Sequence, residues 1–246
     1  MTDRPVMLIA GGSGSIGRAI AREALDQGWA IALHGRNPEK LKAIAEQLGR
    51  SDAVHCFPQD VSRKESAVTL VANVAGQFGR IDAVIDCVAS GVPGITGLFP
   101  ATNPDSYTDF YAVSAVWLQR LTHAAYPHLS ERGGTVISFI SDAGIFAAPR
   151  QAIVGAARGA CIAFIRNLSR EAARDNIRAH IISPSFVEGS DIVAHIGPER
   201  MATAAKRAGL GLPSAEDIAP LAVFLCSDKA SKMTGQVLSV NGGLNA

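Results

Sequence analysis

Residues 6–10 form an apolar run of strand length that breaks into Gly11-Gly12-Ser13-Gly14-Ser15-Ile16-Gly17, and residues 18–25 then place their apolar side chains at helical spacing. A strand that turns through glycines into a helix aims bare backbone N–H groups and the positive end of the helix dipole at one point. That arrangement holds a pyrophosphate. A glycine turn alone is equally an ordinary strand–helix connection. Here a second strand pattern at residues 30–34 follows the helix and completes the strand–helix–strand unit that a dinucleotide site needs.

The rest of the chain repeats this alternation. Strand patterns at residues 53–57, 83–88, 134–140, 177–183 and 237–240 are separated by helical patterns at 38–48, 64–78, 104–130, 148–175 and 214–225. Short connections between alternating elements predict a parallel sheet covered on both faces, in a single α/β domain spanning residues 1–246. Ser214-Ala215-Glu216-Asp217 opens the last helix as a capping box does. Two long connections rich in glycine and proline, residues 90–103 and 185–213, follow strand C-terminal ends and are the expected walls of a substrate pocket.

Composition narrows the functional classes. Hydrophobic residues make up 48% of the chain, enough for a buried sheet, and a net charge of +1 gives no footprint for nucleic acid or an anionic membrane. No apolar run reaches the length of a membrane span, and Met1–Pro5 lack the pattern of a secretory signal. The four cysteines, Cys56, Cys87, Cys161 and Cys226, stand singly in apolar surroundings without metal-ligand spacing. The expectation is a cytoplasmic protein with reduced cysteines and no metal.

The second strand ends in His34-Gly35-Arg36-Asn37. An acidic side chain near this point would bind the adenosine ribose hydroxyls of NAD and repel a 2′-phosphate. Arg36 instead offers a cation to that phosphate, so the expected cofactor is NADP.

With these residues in hand, the chain resembles the short-chain dehydrogenase/reductase family over essentially its whole length. The matches are the glycine loop, Gly35-Arg36, Asp60-Val61, Gly79-Arg80-Ile81-Asp82, Pro127-His128, Ile140-Ser141, Ile177-Arg178, Ser183-Pro184, Thr234-Gly235-Gln236-Val237 and Val240-Asn241-Gly242-Gly243. The likeness is greatest to β-ketoacyl-thioester reductases. It implies a Rossmann-type doubly wound parallel sheet. It also implies cofactor contacts from Gly11, Ser13, Gly14, Ser15, Ile16, Gly17, Arg36, Asp60, Val61, Ala89, Arg158, Pro184 and Val187. Within that set Asp60 would hydrogen-bond the adenine amino group, and Pro184 and Val187 would border the nicotinamide.

The departures from the family pattern bear on activity. The middle glycine, expected at position 15, is Ser15, and Gly14 precedes it. The family's Asn-Asn-Ala-Gly is Asp86-Cys87-Val88-Ala89, and the helix asparagine of its proton relay is Ser114. Ser141 takes the place of the family's catalytic serine. Counting thirteen residues on from it, where the family has tyrosine, gives Val154, and four further, in place of lysine, stands Arg158. That spacing keeps both positions on one helical face. The tyrosine donates a proton to the substrate carbonyl, and valine has none. Arginine binds hydroxyls well but holds its proton too tightly to act as an acid.

Loss of a general acid costs about 10²–10⁴-fold in rate. Two substitutes are in view. Tyr111, one helical turn before Ser114, shares its face, and Asp142 adjoins Ser141; a carboxyl donates when burial keeps it protonated. Two readings follow from different classes. One is an NADP(H)-dependent reductase of a carbonyl or enoyl compound, such as a small molecule or a thioester, with a non-standard proton source. The other is a catalytically inactive, cofactor-binding or structural subunit of a hetero-oligomer with an active relative. The resemblance implies oligomers, homo- or hetero-, built on the two long helices. The small residues Gly155, Ala156, Ala157, Gly159 and Ala160 permit close helix contact there, or close packing within one subunit.

Overall fold

The computed structural model describes residues 2–190 and 197–245. Its strands are β1 (Val6–Ala10), β2 (Ala30–Gly35), β3 (Val54–Pro58), β4 (Ala83–Asp86), β5 (Gly134–Phe139), β6 (Ile177–Ser183) and β7 (Val237–Ser239). They form one seven-stranded sheet in the order β3-β2-β1-β4-β5-β6-β7, with every pairing parallel. The helices are α1 (Ser15–Asp26), α2 (Pro38–Leu48), α3 (Ser66–Phe78), α4 (Tyr107–Tyr111), α5 (Trp117–Ser130), α6 (Ala152–Ala172), α7 (Pro198–Arg207) and α8 (Ala215–Cys226). This is the Rossmann-like α/β arrangement that the alternating pattern requires.

All five residues of β1 are buried, because both faces of the sheet are covered. Met7, Ile9, Ile31, Leu33 and Ile85 pack with Ile20 and Ala24 of α1 and Ile218 and Ala222 of α8. On the opposite face Leu8, Ala10, Ala32 and Val84 pack with Leu70 of α3, Leu118 and Leu121 of α5, and Ile165 of α6. The chain reverses its direction of travel through the sheet between β1 and β4, which lie side by side. The C-terminal ends of these two strands open the crevice where ligands bind in such sheets.

The element ends differ from the sequence pattern for identifiable reasons. β4 stops at Asp86 and not at residue 88, because the Asp86 carboxylate accepts the Val88 N–H at 3.3 Å and turns the chain. α6 starts four residues later than its apolar pattern, since Pro149 precedes it and Arg150 sits at φ +69°. The expected helix at 104–130 is broken in the middle by a π-turn at Ala112–Val116. The connection 185–213 contains α7, which its glycines and prolines concealed, and its residues 191–196 lie outside the described residues. The capping box is present: Ser214 Oγ accepts the Asp217 N–H while the Asp217 carboxylate accepts the Ser214 N–H.

One expectation is corrected. The helix Ala152–Asp175, α6 with its terminal turn, is long and apolar enough to cross a membrane. It is nevertheless a core helix, with Ala157, Cys161 and Ile165 buried in the protein interior.

Candidate active site

The glycine turn is shaped by backbone contacts. Gly11 has φ +79°, and a Cβ on it would lie 2.7 Å from the Cys87 carbonyl oxygen. A Cβ on Gly17 would lie 2.7 Å from the Gly11 carbonyl oxygen, so α1 closes directly onto the turn. Both positions therefore require glycine. Gly14 is less constrained: its Cβ would meet the Gly11 oxygen at 3.4 Å, an ordinary contact. Gly14 is the N-cap of α1, and no side chain caps the N–H groups of the first helical turn. Those unsatisfied donors and the space the missing Cβ atoms leave fit a pyrophosphate. Ser13, Ser15 and Ile16 line the same turn, half-buried.

Around this cradle stand the residues expected at the adenosine end. Gly35 faces Ser13, whose Oγ would be 3.0 Å from a Cβ at position 35. Arg36 is exposed. The Asp60 carboxylate accepts the Ser62 N–H at 3.0 Å, which with the nearby Arg36 and Arg63 charges holds its pKa below the ordinary value. Arg36 and Asp60 thus sit together, on the ends of neighbouring strands. Val61 is half-buried, Ala89 exposed, and Pro184 and Val187 are buried at the end of β6.

The proton-transfer end is built differently. Ser141 caps the turn Asp142–Gly144, its Oγ accepting the Ala143 N–H at 3.3 Å. This turn lies tightly on α6: a Cβ on Gly144 would be 2.7 Å from Arg158 Cβ, and one on Gly155 would be 2.6 Å from the Ala143 oxygen. Packing within the chain therefore accounts for Gly155, whereas Gly159 faces open space. Val154 belongs to a small apolar cluster with Ile95, Phe110, Ile153 and Ala157, and Tyr111 packs against the same cluster. The other tyrosines are engaged elsewhere, Tyr107 with Thr102 and Tyr126 with Asp175.

Arg158 is buried at 8% exposure, and its Nη1 donates to the Ser114 carbonyl at 3.3 Å. Cys161 Sγ donates to the same oxygen at 3.2 Å. The π-turn explains why that carbonyl is available: the extra residue breaks the regular i→i+4 ladder and lets side chains reach the oxygen. The Ser114 hydroxyl and Arg158 Nε are buried without hydrogen-bond partners among the described residues.

Two carboxylates flank this region. Asp86 is buried and accepts from Ser138 Oγ at 3.2 Å and from the Val88 N–H. Burial pushes its pKa up to about 6, against the pull of the Arg158 charge and of the donors on Val88, Ser138 and Trp117. Asp142 is occupied as an acceptor: Ser183 Oγ donates at 2.5 Å, Asn241 Nδ2 at 2.9 Å and Asn245 Nδ2 at 2.8 Å. With both oxygens receiving donors, Asp142 ties the C-terminal segment to β5 and β6. This geometry argues against its candidacy as a proton donor.

Beside Ser141 opens a cavity of about 580 Å³. Its near wall is Ser141, Asp142, Phe146 and Gln151, and its far wall is the face of α7 carrying Arg200, Thr203, Ala204 and Arg207. Residues 185–213 thus form a pocket wall, as their position after β6 led one to expect, whereas none of residues 90–103 lines this cavity; the helical form of the wall, α7, was not visible in the sequence. Nor were the environments of His34 and Asp86, which depend on contacts between distant strands.

The family profile described as enoyl-(acyl carrier protein) reductase matches residues 10–245. Nodulation protein G of Rhizobium sp. (strain N33) is 30% identical over 240 residues, covering 96% of this chain and 95% of that protein. The 3-oxoacyl-(acyl-carrier-protein) reductase of Chlamydia trachomatis is 30% identical over 245 residues, covering 96% of each. Among solved structures, a short-chain type dehydrogenase/reductase from Mycobacterium ulcerans superposes with a TM-score of 0.90 at 25% identity, over 99% of this chain and 90% of that one. The chain belongs to the short-chain dehydrogenase/reductase family. Named relatives of this kind are oxidoreductases, and the family uses a nicotinamide cofactor, for which the glycine cradle is suited.

Proposed function

We propose that this protein is an NADP(H)-dependent reductase of a carbonyl or conjugated enoyl compound that works without the family's tyrosine. The observation that carries the reading is the contrast between the two halves of the site. The phosphate cradle keeps every steric requirement at Gly11 and Gly17, while the proton-donor position is Val154 inside an apolar cluster. When bound, a nicotinamide dinucleotide supplies or accepts the hydride. Gly11 to Gly17 would hold its phosphates, Arg36 the 2′-phosphate and Asp60 the adenine. Arg158 and Ser141 would face the reacting end, Arg158 as a fixed donor to hydroxyls and Ser141 as a hydrogen-bond donor to a substrate oxygen.

Reduction of a conjugated C=C bond places its proton on carbon, and solvent can deliver it. That chemistry suits a site with no tyrosine better than ketone reduction does. The names of the family profile and of the acyl-carrier-protein reductase favour a thioester substrate. A second reading, a catalytically silent subunit paired with an active relative, is favoured by the apolar packing of Val154 and Tyr111 and by the occupied Asp142. In either reading the long helices α5 and α6 are the expected contact between subunits.

Titration of the wild type and of Arg36→Ala with NADPH and NADH tests the cofactor assignment. The expected result is tighter NADPH binding that Arg36→Ala abolishes selectively. Equal affinities, or no loss on removing Arg36, would overturn it. Steady NADPH turnover by homogeneous protein separates the reductase from the silent subunit.

A further inference from the structure

His34 occupies the junction of three loops. Its ring is 1% exposed and stacks on Trp117, with centroids 5.9 Å apart and an interplanar angle of 22°. The Gly11 N–H donates to His34 Nδ1 at 3.4 Å, at the long end of hydrogen-bond range, and His34 Nε2 meets the Gln59 carbonyl at 3.1 Å. The His34 carbonyl accepts the Gly12 N–H at 2.8 Å, and the Gln59 N–H donates to the Gly35 carbonyl at 2.9 Å. One side chain on β2 thus ties the glycine turn after β1 to the segment after β3 that carries Asp60.

The partners fix the protonation of the ring. An amide N–H only donates, so Nδ1 is bare; a carbonyl only accepts, so Nε2 carries the hydrogen. The imidazole is therefore neutral, and burial holds its pKa down to about 4. An aliphatic side chain of similar size would fill the volume but leave the Gly11 N–H without its acceptor. Gly11 is the residue whose left-handed backbone turns the chain between β1 and α1.

We propose that His34 is a positioning residue for dinucleotide binding: its Nδ1, by accepting the Gly11 N–H, holds the glycine turn in its ligand-binding shape without touching the ligand. This rests on the reading that the cradle binds a dinucleotide.

The test is calorimetric or fluorescence titration of NADPH, NADH and ADP against wild type, His34→Leu, His34→Gln and His34→Asn, each well below its own melting temperature. Asparagine presents an acceptor at the δ position and restores the partner of the Gly11 N–H. Glutamine presents its polar atoms one bond further out and does not. The expected result is a weakening of ADP and dinucleotide binding by about fivefold in His34→Leu and His34→Gln, the scale of one lost hydrogen bond, and by less than about twofold in His34→Asn. Equal binding by the Asn and Gln variants, or wild-type affinity in His34→Leu, would overturn the inference, because either result makes the ring a space filler only. If His34→Leu fails to fold, the Asn–Gln comparison decides alone. A wild type that binds none of the three ligands overturns the dinucleotide reading, and this inference with it.

Discussion

Replacing Asp86 by asparagine removes a buried charge whose cost can be worked out from its surroundings. The carboxyl ordinarily titrates at 3.8, and burial raises it to about 6 in the folded protein. A carboxyl raised on folding contributes fully to stability below its unfolded value, and that contribution is lost as pH rises through its folded value. At about 1.4 kcal/mol per pH unit of separation, the ionised Asp86 costs about 3 kcal/mol once the pH is well above 6. The attraction of Arg158 is already contained in that figure, because a protonated Asp86 leaves Arg158 as uncompensated as asparagine does. Asparagine can also replace the Val88 and Ser138 hydrogen bonds, accepting from the Val88 N–H and donating to Ser138 Oγ. Urea unfolding of both proteins should therefore show Asp86→Asn more stable by about 1 kcal/mol near pH 4.5 and by about 3 kcal/mol near pH 8. His34 and His180, each lowered to about 4 chiefly by burial, act in the opposite sense. Their stabilisation is present above the ordinary 6.5 and lost as pH falls through 4, but it is common to both proteins and cancels in the difference. A stability difference that does not change with pH would refute the reasoning. So would a variant less stable than wild type at pH 8, which would make the Asp86–Arg158 attraction a net stabiliser.

Other outcomes follow from single contacts. Gly11→Ala combines φ +79° with a Cβ 2.7 Å from the Cys87 oxygen, so dinucleotide binding should fall at least about tenfold in a titration; Gly14→Ala, whose Cβ meets the protein only at 3.4 Å, should leave the melting temperature nearly unchanged. Ser185 holds φ +60°, a conformation that costs a side chain about 1–2 kcal/mol, so Ser185→Gly should leave the melting temperature unchanged or raise it by a few degrees, the strain relief being partly offset by glycine's looser unfolded chain. The double change Val154→Tyr with Arg158→Lys should raise the rate of ketone reduction above that of the wild type, and Val154→Tyr alone should raise it less, as measured by NADPH consumption.

The parts of this architecture legible in the sequence are those written locally. The glycine turn needs only a strand, a run of small residues and a helix in succession, and the Ser214–Asp217 box needs only its own four residues. The π-turn at Ala112–Val116 is invisible because its apolar residues suit a regular helix equally well, yet it frees the Ser114 carbonyl for Arg158. That the wall expected at residues 185–213 contains a helix, α7, was hidden by the glycine- and proline-rich stretch around it. His34 and Asp86 gain their roles only across the sheet: His34 meets Gly11 and Gln59 from neighbouring strands, and Asp86 meets Ser138, 52 residues away. Counting residues found Val154 and Arg158 opposite Ser141, but only the packing shows that Val154 lies in an apolar cluster and that Asp142 already serves three donors.

The most direct test of the central claim compares two substrates on the homogeneous wild-type protein with NADPH: an α,β-unsaturated acyl thioester and the β-ketoacyl thioester of the same chain length. A site that keeps the phosphate cradle but has valine in place of the proton donor should reduce the ketone at least about 10²-fold more slowly than tyrosine-bearing relatives, while reduction of the conjugated double bond, protonated on carbon, proceeds at the higher rate of the two. Ketone reduction at the rate of those relatives would contradict the account and direct attention to Tyr111 as the donor.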